Sequence, residues 1–204
     1  MLSNPRPVPN QIPDLLALPA DLAPLMEQQR WLNWSYVWDD KRGVWTKEPR
    51  GNGGSLKWGR PHHWMTHAEA VAAMRAGGHD GIGLVLSADC ETGGIDIDNC
   101  LREQNGEWVV SAWANLIVDA ARRAGCYVEV TVRGRGLRII GTTRRQVSIV
   151  CNMKGEEQPD GNLKIISKPP KGSPGFEIYC RPKNQYITVS GIEVGEGSAL
   201  APID

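Results

Sequence analysis

The 204 residues carry 23 Lys and Arg against 23 Asp and Glu, together with 23 glycines and 14 prolines. No apolar run approaches the ~20 residues needed to span a bilayer, and the amino terminus lacks a charged-then-hydrophobic leader pattern, so a cytoplasmic chain without a membrane span is expected. The five cysteines are odd in number and include no Cys-x-x-Cys pair, which supports neither a disulfide framework nor a zinc ribbon.

The neutral total hides an asymmetry. Residues 122–183 hold thirteen Lys or Arg against five Asp or Glu, whereas residues 1–121 hold ten against fifteen. A basic half beside an acidic stretch suits a polyanion held against metal-bound carboxylates; a solvated basic surface is the alternative.

In chain order, residues 1–24 contain six prolines and few large apolar groups, which predicts an extended or mobile arm, with a short helix near 21–30. Residues 31–47 alternate aromatic and β-branched residues around a polar turn at Gly43, the pattern of a hairpin. Trp31, Trp34, Trp38 and Trp45 read as core anchors in preference to base-stacking platforms. Lys47 follows them, either reaching a phosphate or simply solvated. Residues 50–61 read as a loop. Thr66 and Glu69 form a capping box ahead of a helix at 68–76, stopped by Gly77 and Gly78. His63 and His67 are four apart, but the cap at Thr66 leaves His63 outside the helix, so a metal pair is not expected there.

The chain is organised around residues 81–100, two short apolar runs flanking a Gly- and Asp-rich connector, which predicts two buried strands joined by a tight turn. Asp96 and Asp98 on the second run share one face, with Cα atoms roughly 6.5 to 7 Å apart. Carboxylates so placed suit a divalent ion with oxygen ligands, and a solvated strand end is the competing reading. Val109, Trp113, Leu116, Ile117, Ala120 and Ala124 fall at helical spacing, and Gly125 ends that helix.

Residues 126–140 read as a strand, a glycine turn and a strand, with Arg133, Arg135 and Arg138 around Gly134 and Gly136. The turn is either a cradle for a triphosphate or nucleic acid, or a structural hairpin with exposed arginines. Residues 142–175 read as basic loops around a short strand at 163–167, with Arg144, Arg145 and Lys168 as candidate DNA contacts. Two more strands are expected at 176–180 and 185–191. Glu177 lies among strand-forming apolar residues, so it is read as a third metal ligand or an ion-pair partner of an arginine.

Taken in order, residues 31–191 resemble the archaeo-eukaryotic primase superfamily, in its phage and plasmid primase-polymerase branch. The segments that carry the resemblance are Trp34 through Thr46-Lys47-Glu48-Pro49, Trp64 and the helix to Gly78, Asp80-Gly81-Ile82-Gly83-Leu84-Val85-Leu86, Gly94-Ile95-Asp96-Ile97-Asp98-Asn99-Cys100, Glu129 through Gly134-Arg135-Gly136-Leu137-Arg138-Ile139, and Glu177-Ile178-Tyr179 with the run from Tyr186 to Gly191. The resemblance implies an α/β (α+β) fold, with an RRM-like catalytic sheet packed with helices and an N-terminal α/β module. It divides the chain into a proline-rich arm at 1–24, a catalytic domain at 25–191, and a linker or tail at 192–204. It further implies template-directed nucleotidyl transfer by a DNA primase or polymerase in the cytoplasm of a bacterial host. Asp96, Asp98 and Glu177 would hold two Mg2+ or Mn2+ ions; Arg138, Arg135, Gly136, Arg133 and Lys47 would face an NTP or dNTP. Single-stranded DNA is the implied template and a helicase, fused or in trans, the implied partner. Arg138 stands where many relatives have histidine, Gln185 where an arginine is usual, and Arg133 where a small hydroxyl residue is common. Those departures keep a second reading open, a non-catalytic module that binds single-stranded or origin DNA and recruits a helicase. A nucleotide-sugar transferase would also use Asp-x-Asp, yet leaves the basic half unexplained.

Overall fold

In a computed structural model, described for residues 5–51, 54–55, 57–105, 107–144, 148–170, 172–182, 184–195 and 200–203, two antiparallel sheets meet around one cleft. The chain is mixed α+β, with few helices. The first sheet contains β1 (Trp31–Asp39), β2 (Val44–Gly51), β3 (Gly54–Ser55), β4 (Gly81–Ser87) and β13 (Asn184–Val189), in the order β13-β4-β1-β2-β3. The second contains β5 (Thr92–Asp98), β8 (Tyr127–Val130), β9 (Leu137–Thr142), β10 (Ile149–Glu157), β11 (Leu163–Ile165) and β12 (Gly175–Cys180), in the order β11-β10-β12-β5-β9-β8. A separate hairpin joins β6 (Leu101–Gln104) to β7 (Glu107–Val110). The helices are α1 (Ala23–Met26), α2 (His67–Gly77) and α3 (Ala112–Ala124), with 3-10 turns at Ala20–Leu22 and Pro61–His63. Among the described residues, no helix is long and apolar enough to cross a membrane.

Helix α2 begins where the capping box requires. Thr66 accepts from the Glu69 amide at 3.3 Å, Glu69 accepts from the Thr66 amide at 2.8 Å, and Gly78 closes the helix in the left-handed region. Val71 and Ala70 pack on the face of the first sheet that presents Trp31, Ile82 and Leu84. His67 is buried, with Nε2 2.8 Å from the Leu15 carbonyl oxygen. On the outer face of the second sheet, Trp113, Ala114, Val118 and Ala121 of α3 cover Ile97, Val128, Leu137 and Ile139. Each large side chain so buried contributes about 1.5 to 3 kcal/mol.

The two sheets are stitched together along β13. A Cβ on Gly94 of β5 would stand at ordinary contact distance, 3.6 Å from Leu86 and 3.8 Å from Ile187, so β5 at this point lies directly against β4 and β13. Tyr127, Ile140 and Tyr179 of the second sheet join the same core as Leu84, Leu86 and Ile187.

Four expectations change. Strands β4 and β5 do not form a hairpin: β4 lies between β1 and β13, β5 between β9 and β12, so the Gly- and Asp-rich connector crosses from one sheet to the other. The apolar pattern fixes strand character and not strand partner. Residues 142–175 hold a nine-residue strand, β10, besides the short β11. Exposed Val150 and Met153 blur its alternation. Val109 belongs to β7, and α3 starts only after Ser111. The proline-rich segment is extended yet packed: the Asn10 and Ile12 amides donate to the Val132 and Ser190 carbonyls at 2.8 and 2.9 Å, and Leu15, Leu18 and Leu22 enter the core.

The carboxyl-terminal segment also joins the sheet. The Val194 amide donates to the Val128 carbonyl at 2.8 Å, and Thr142 exchanges hydrogen bonds of 3.0 Å with Ala201 and Ile203. Of the four tryptophans read as anchors, Trp31 and Trp34 are fully buried, whereas Trp38 sits at the rim, 36% exposed, in edge-on contact with Trp45.

Candidate active site between the two sheets

One rung of side chains runs straight across the second sheet. Asn152 of β10 faces Glu177 of β12, Glu177 faces Asp96 of β5, Asp96 faces Arg138 of β9, and Arg138 faces Glu129 of β8. Residues in direct register point to the same side of a sheet, so both acids and the arginine share the face that looks toward the first sheet. Asp98, two residues beyond Asp96, points the same way. The three acids nominated from the sequence therefore occupy one face of two adjacent strands.

Each carboxylate already meets a cation. Arg138 grips Asp96 with two bonds, Nε to Oδ1 at 2.5 Å and Nη2 to Oδ2 at 3.1 Å. Its remaining nitrogen donates to the Thr188 carbonyl and, at 3.1 Å, to the Thr188 hydroxyl, and lies 3.6 Å from Glu129 Oε1. The guanidinium is only 3% exposed and ties the second sheet to β13. Glu129 is fully buried and accepts from the Ser190 and Gly191 amides. Burial pushes its carboxyl upward in pKa, while Arg138 and those amides pull it down. Lys154 of β10 contacts Asp98 and stands 3.1 Å from Glu177 Oε1. Glu177 also accepts from Asn152 Nδ2 at 2.8 Å and from the Tyr179 hydroxyl.

The face opens into a cleft of about 800 Å³ bounded by Asp96, Asp98, Gly136, Arg138, Lys154, the exposed Arg133 and Arg135, and, across from them, Tyr36, Trp45 and Lys47 of β1 and β2. Lys47 is half-buried with Nζ 3.3 Å from the Thr188 hydroxyl. Burial, reinforced by Arg138, lowers its ammonium pKa from 10.5 to about 8. The residues nominated for a nucleotide are thus on one cleft, but Arg138 is spent as a strut and Arg133 donates to the Trp45 carbonyl at 2.8 Å. The turn glycines have structural reasons of their own. Gly134 takes a positive φ of +69°, and a Cβ on Gly136 would fall 2.5 Å from the Ile97 carbonyl oxygen, so the turn backbone abuts β5 beside Asp98.

Arg144 and Lys168 are exposed and do not line the cleft. Arg144 lies six residues past Arg138, beyond the end of β9 at Thr142. Arg145 falls outside the described residues. Lys154 and Asn152 were missed because they sit on β10, the strand hidden in the basic stretch; Glu129 and Thr188 fall within segments that carry the resemblance, but no role was assigned to either.

As a donor set, three carboxylates suit a hard divalent ion, and the Lys154 ammonium on Asp98 and Glu177 is a cation already standing where one is electrostatically favoured. Among the described residues no three His, Cys, Asp or Glu are gathered tightly enough to hold an ion as they stand. A scan against protein-family models finds no match for this chain, and a search of curated proteins finds none.

Proposed function

We propose that the cleft performs template-directed, divalent-metal-dependent nucleotidyl transfer, as a DNA primase or DNA polymerase of a phage or other mobile replicon. The observation that carries this is the direct register of Asp96 and Glu177 across β5 and β12, with Asp98 on the same face and Lys47, Arg133 and Arg135 lining the cleft beside it. The order of motifs that resembles the archaeo-eukaryotic primases, and a sheet with helix α3 on its outer face, agree with that fold.

In this reading Asp96, Asp98 and Glu177 would hold Mg2+ or Mn2+, which would supply activation of the attacking hydroxyl and neutralisation of charge on the leaving pyrophosphate. The chain's own residues do the positioning that phosphoryl transfer chiefly needs. Lys47, Arg133 and Arg135 draw the triphosphate between the sheets. Arg138 holds Asp96 in place through two hydrogen bonds, and Asn152 with Tyr179 fixes Glu177. Trp45 and Tyr36 offer an aromatic wall to a base.

The test is primer extension and de novo synthesis on single-stranded DNA with Mg2+ or Mn2+, comparing the native chain with Asp98→Asn. Synthesis lost in the variant supports the proposal. A second reading, a module that only holds single-stranded DNA, is favoured by Arg138 and Lys154 already neutralising the acids; it is upheld by metal-independent DNA binding without any extension.

A further inference from the structure

Lys154 lies outside every motif that points to nucleotidyl transfer, yet the backbone makes room for it. It faces Gly175 on β12, and Gly175 faces Asp98 on β5, so Lys154 and Asp98 are separated by a residue without a side chain. A Cβ at position 175 would lie 2.8 Å from Lys154 Cδ. Glycine there is the gap through which the lysine crosses one strand to contact Asp98 while staying 3.1 Å from Glu177. The lysine side chain is 19% exposed, sheltered but not sealed from the cleft that it lines. Asp98, at 44% exposed, has solvent on its open side.

We propose that Lys154 is a tethered counter-cation that occupies the acid cluster in the free protein and must swing aside for a divalent ion to bind Asp98 and Glu177. This rests on the metal-dependent reading of the cluster. A fixed monovalent cation and an incoming divalent one compete for the same carboxylate oxygens, so the lysine weakens metal binding to the free protein. Once displaced, its ammonium enters a cleft otherwise suited to triphosphate, so metal entry and the gain of a phosphate-binding cation become one event. The long, flexible lysine stem suits such a swing, whereas arginine's planar fork would hold both acids more firmly.

The experiment is calorimetric titration of the full chain with Mn2+ alone, without nucleotide or DNA, checked by the electron paramagnetic resonance signal of free Mn2+. Native protein is compared with Lys154→Met, Lys154→Gln and Lys154→Arg, and each fold is checked by circular dichroism. Lys154→Met and Lys154→Gln are expected to bind Mn2+ about tenfold more tightly, a gain removed by adding Asp98→Asn, while Lys154→Arg binds no tighter than the native chain. With two neutral variants, a folding failure in one leaves the comparison intact. If the native chain binds Mn2+ through Asp98 and the neutral variants bind equally or less tightly, the role given to Lys154 is overturned and the metal reading stands. If neither native nor variant chains bind Mn2+, both fall together.

Discussion

Asp96 and Glu177, eighty-one positions apart in the chain, stand directly opposite one another on adjacent antiparallel strands and share one face of the sheet. That register brings acids from distant segments within reach of a shared cation. It also makes their substitution effects separable, because their surroundings differ.

Asp96 is the closer of two carboxylates that meet a guanidinium only 3% exposed, so Asp96→Asn removes two charge-assisted bonds and leaves that buried charge with Glu129 at 3.6 Å. A loss of about 1.5 to 3 kcal/mol is expected, read as a lowered midpoint in urea unfolding. Asp98 is far more exposed, and Asp98→Asn should move the same midpoint by no more than ~0.5 kcal/mol. Equal destabilisation by the two would contradict the placement of Arg138.

Gly136→Ala sets a Cβ 2.5 Å from a backbone carbonyl of β5, where neither side yields cheaply. The expected cost is about 1 to 3 kcal/mol in thermal or denaturant unfolding, with loss of nucleotide binding as the turn lifts from Asp98. A variant as stable as the native chain would show that the turn does not rest on β5.

Lys47 gives the cleft a pH dependence. Its folded-state value of about 8 lies below the ordinary 10.5, so the folded protein binds fewer protons than the unfolded chain between those values, and stability rises with pH across that window. Binding moves the opposite way: affinity for a nonhydrolysable nucleoside triphosphate should weaken above pH 8 by up to about tenfold per unit, as the ammonium is lost. Lys47→Arg should flatten that slope in calorimetry between pH 7 and 9.5. A slope unchanged by the substitution would remove Lys47 from the phosphate site.

Arg133 and Arg135 are exposed where they line the cleft, so under the proposed function they would meet a polyanion as screened charges. Each alanine substitution should weaken binding to a single-stranded oligonucleotide and lower the slope of log affinity against log salt by about 0.7. Fluorescence anisotropy at several salt concentrations reads both quantities. Arg144→Ala, outside the cleft, should leave them nearly unchanged.

Local chemistry was legible in the sequence wherever the signal was local. The capping box at Thr66, the β1–β2 hairpin, and the β8–β9 turn with its glycines follow from residue type and spacing, and the structure has them. The common face of Asp96 and Asp98 follows from strand alternation alone. Partnership between distant strands did not follow. Nothing in residues 81–100 announces that β4 and β5 enter different sheets, since buried strands look alike whichever neighbour they take. Strand β10 was hidden because exposed Val150 and Met153, three apart and so on opposite faces, break the alternation of apolar and polar residues, and with it went Asn152 and Lys154 at the site. Arg138 was legible as a phosphate-binding type but not as a strut, because Asp96 and Thr188, which engage it, lie 42 and 50 positions away in sequence.

The most direct measurement is extension of a primer on single-stranded DNA by the full chain, with Mg2+ or Mn2+ and deoxy- or ribonucleoside triphosphates, beside Asp98→Asn of confirmed fold. Metal-dependent product from the native chain and none from the variant is the expected result. Product of equal yield from both would contradict a reaction carried out at the β5–β12 acids.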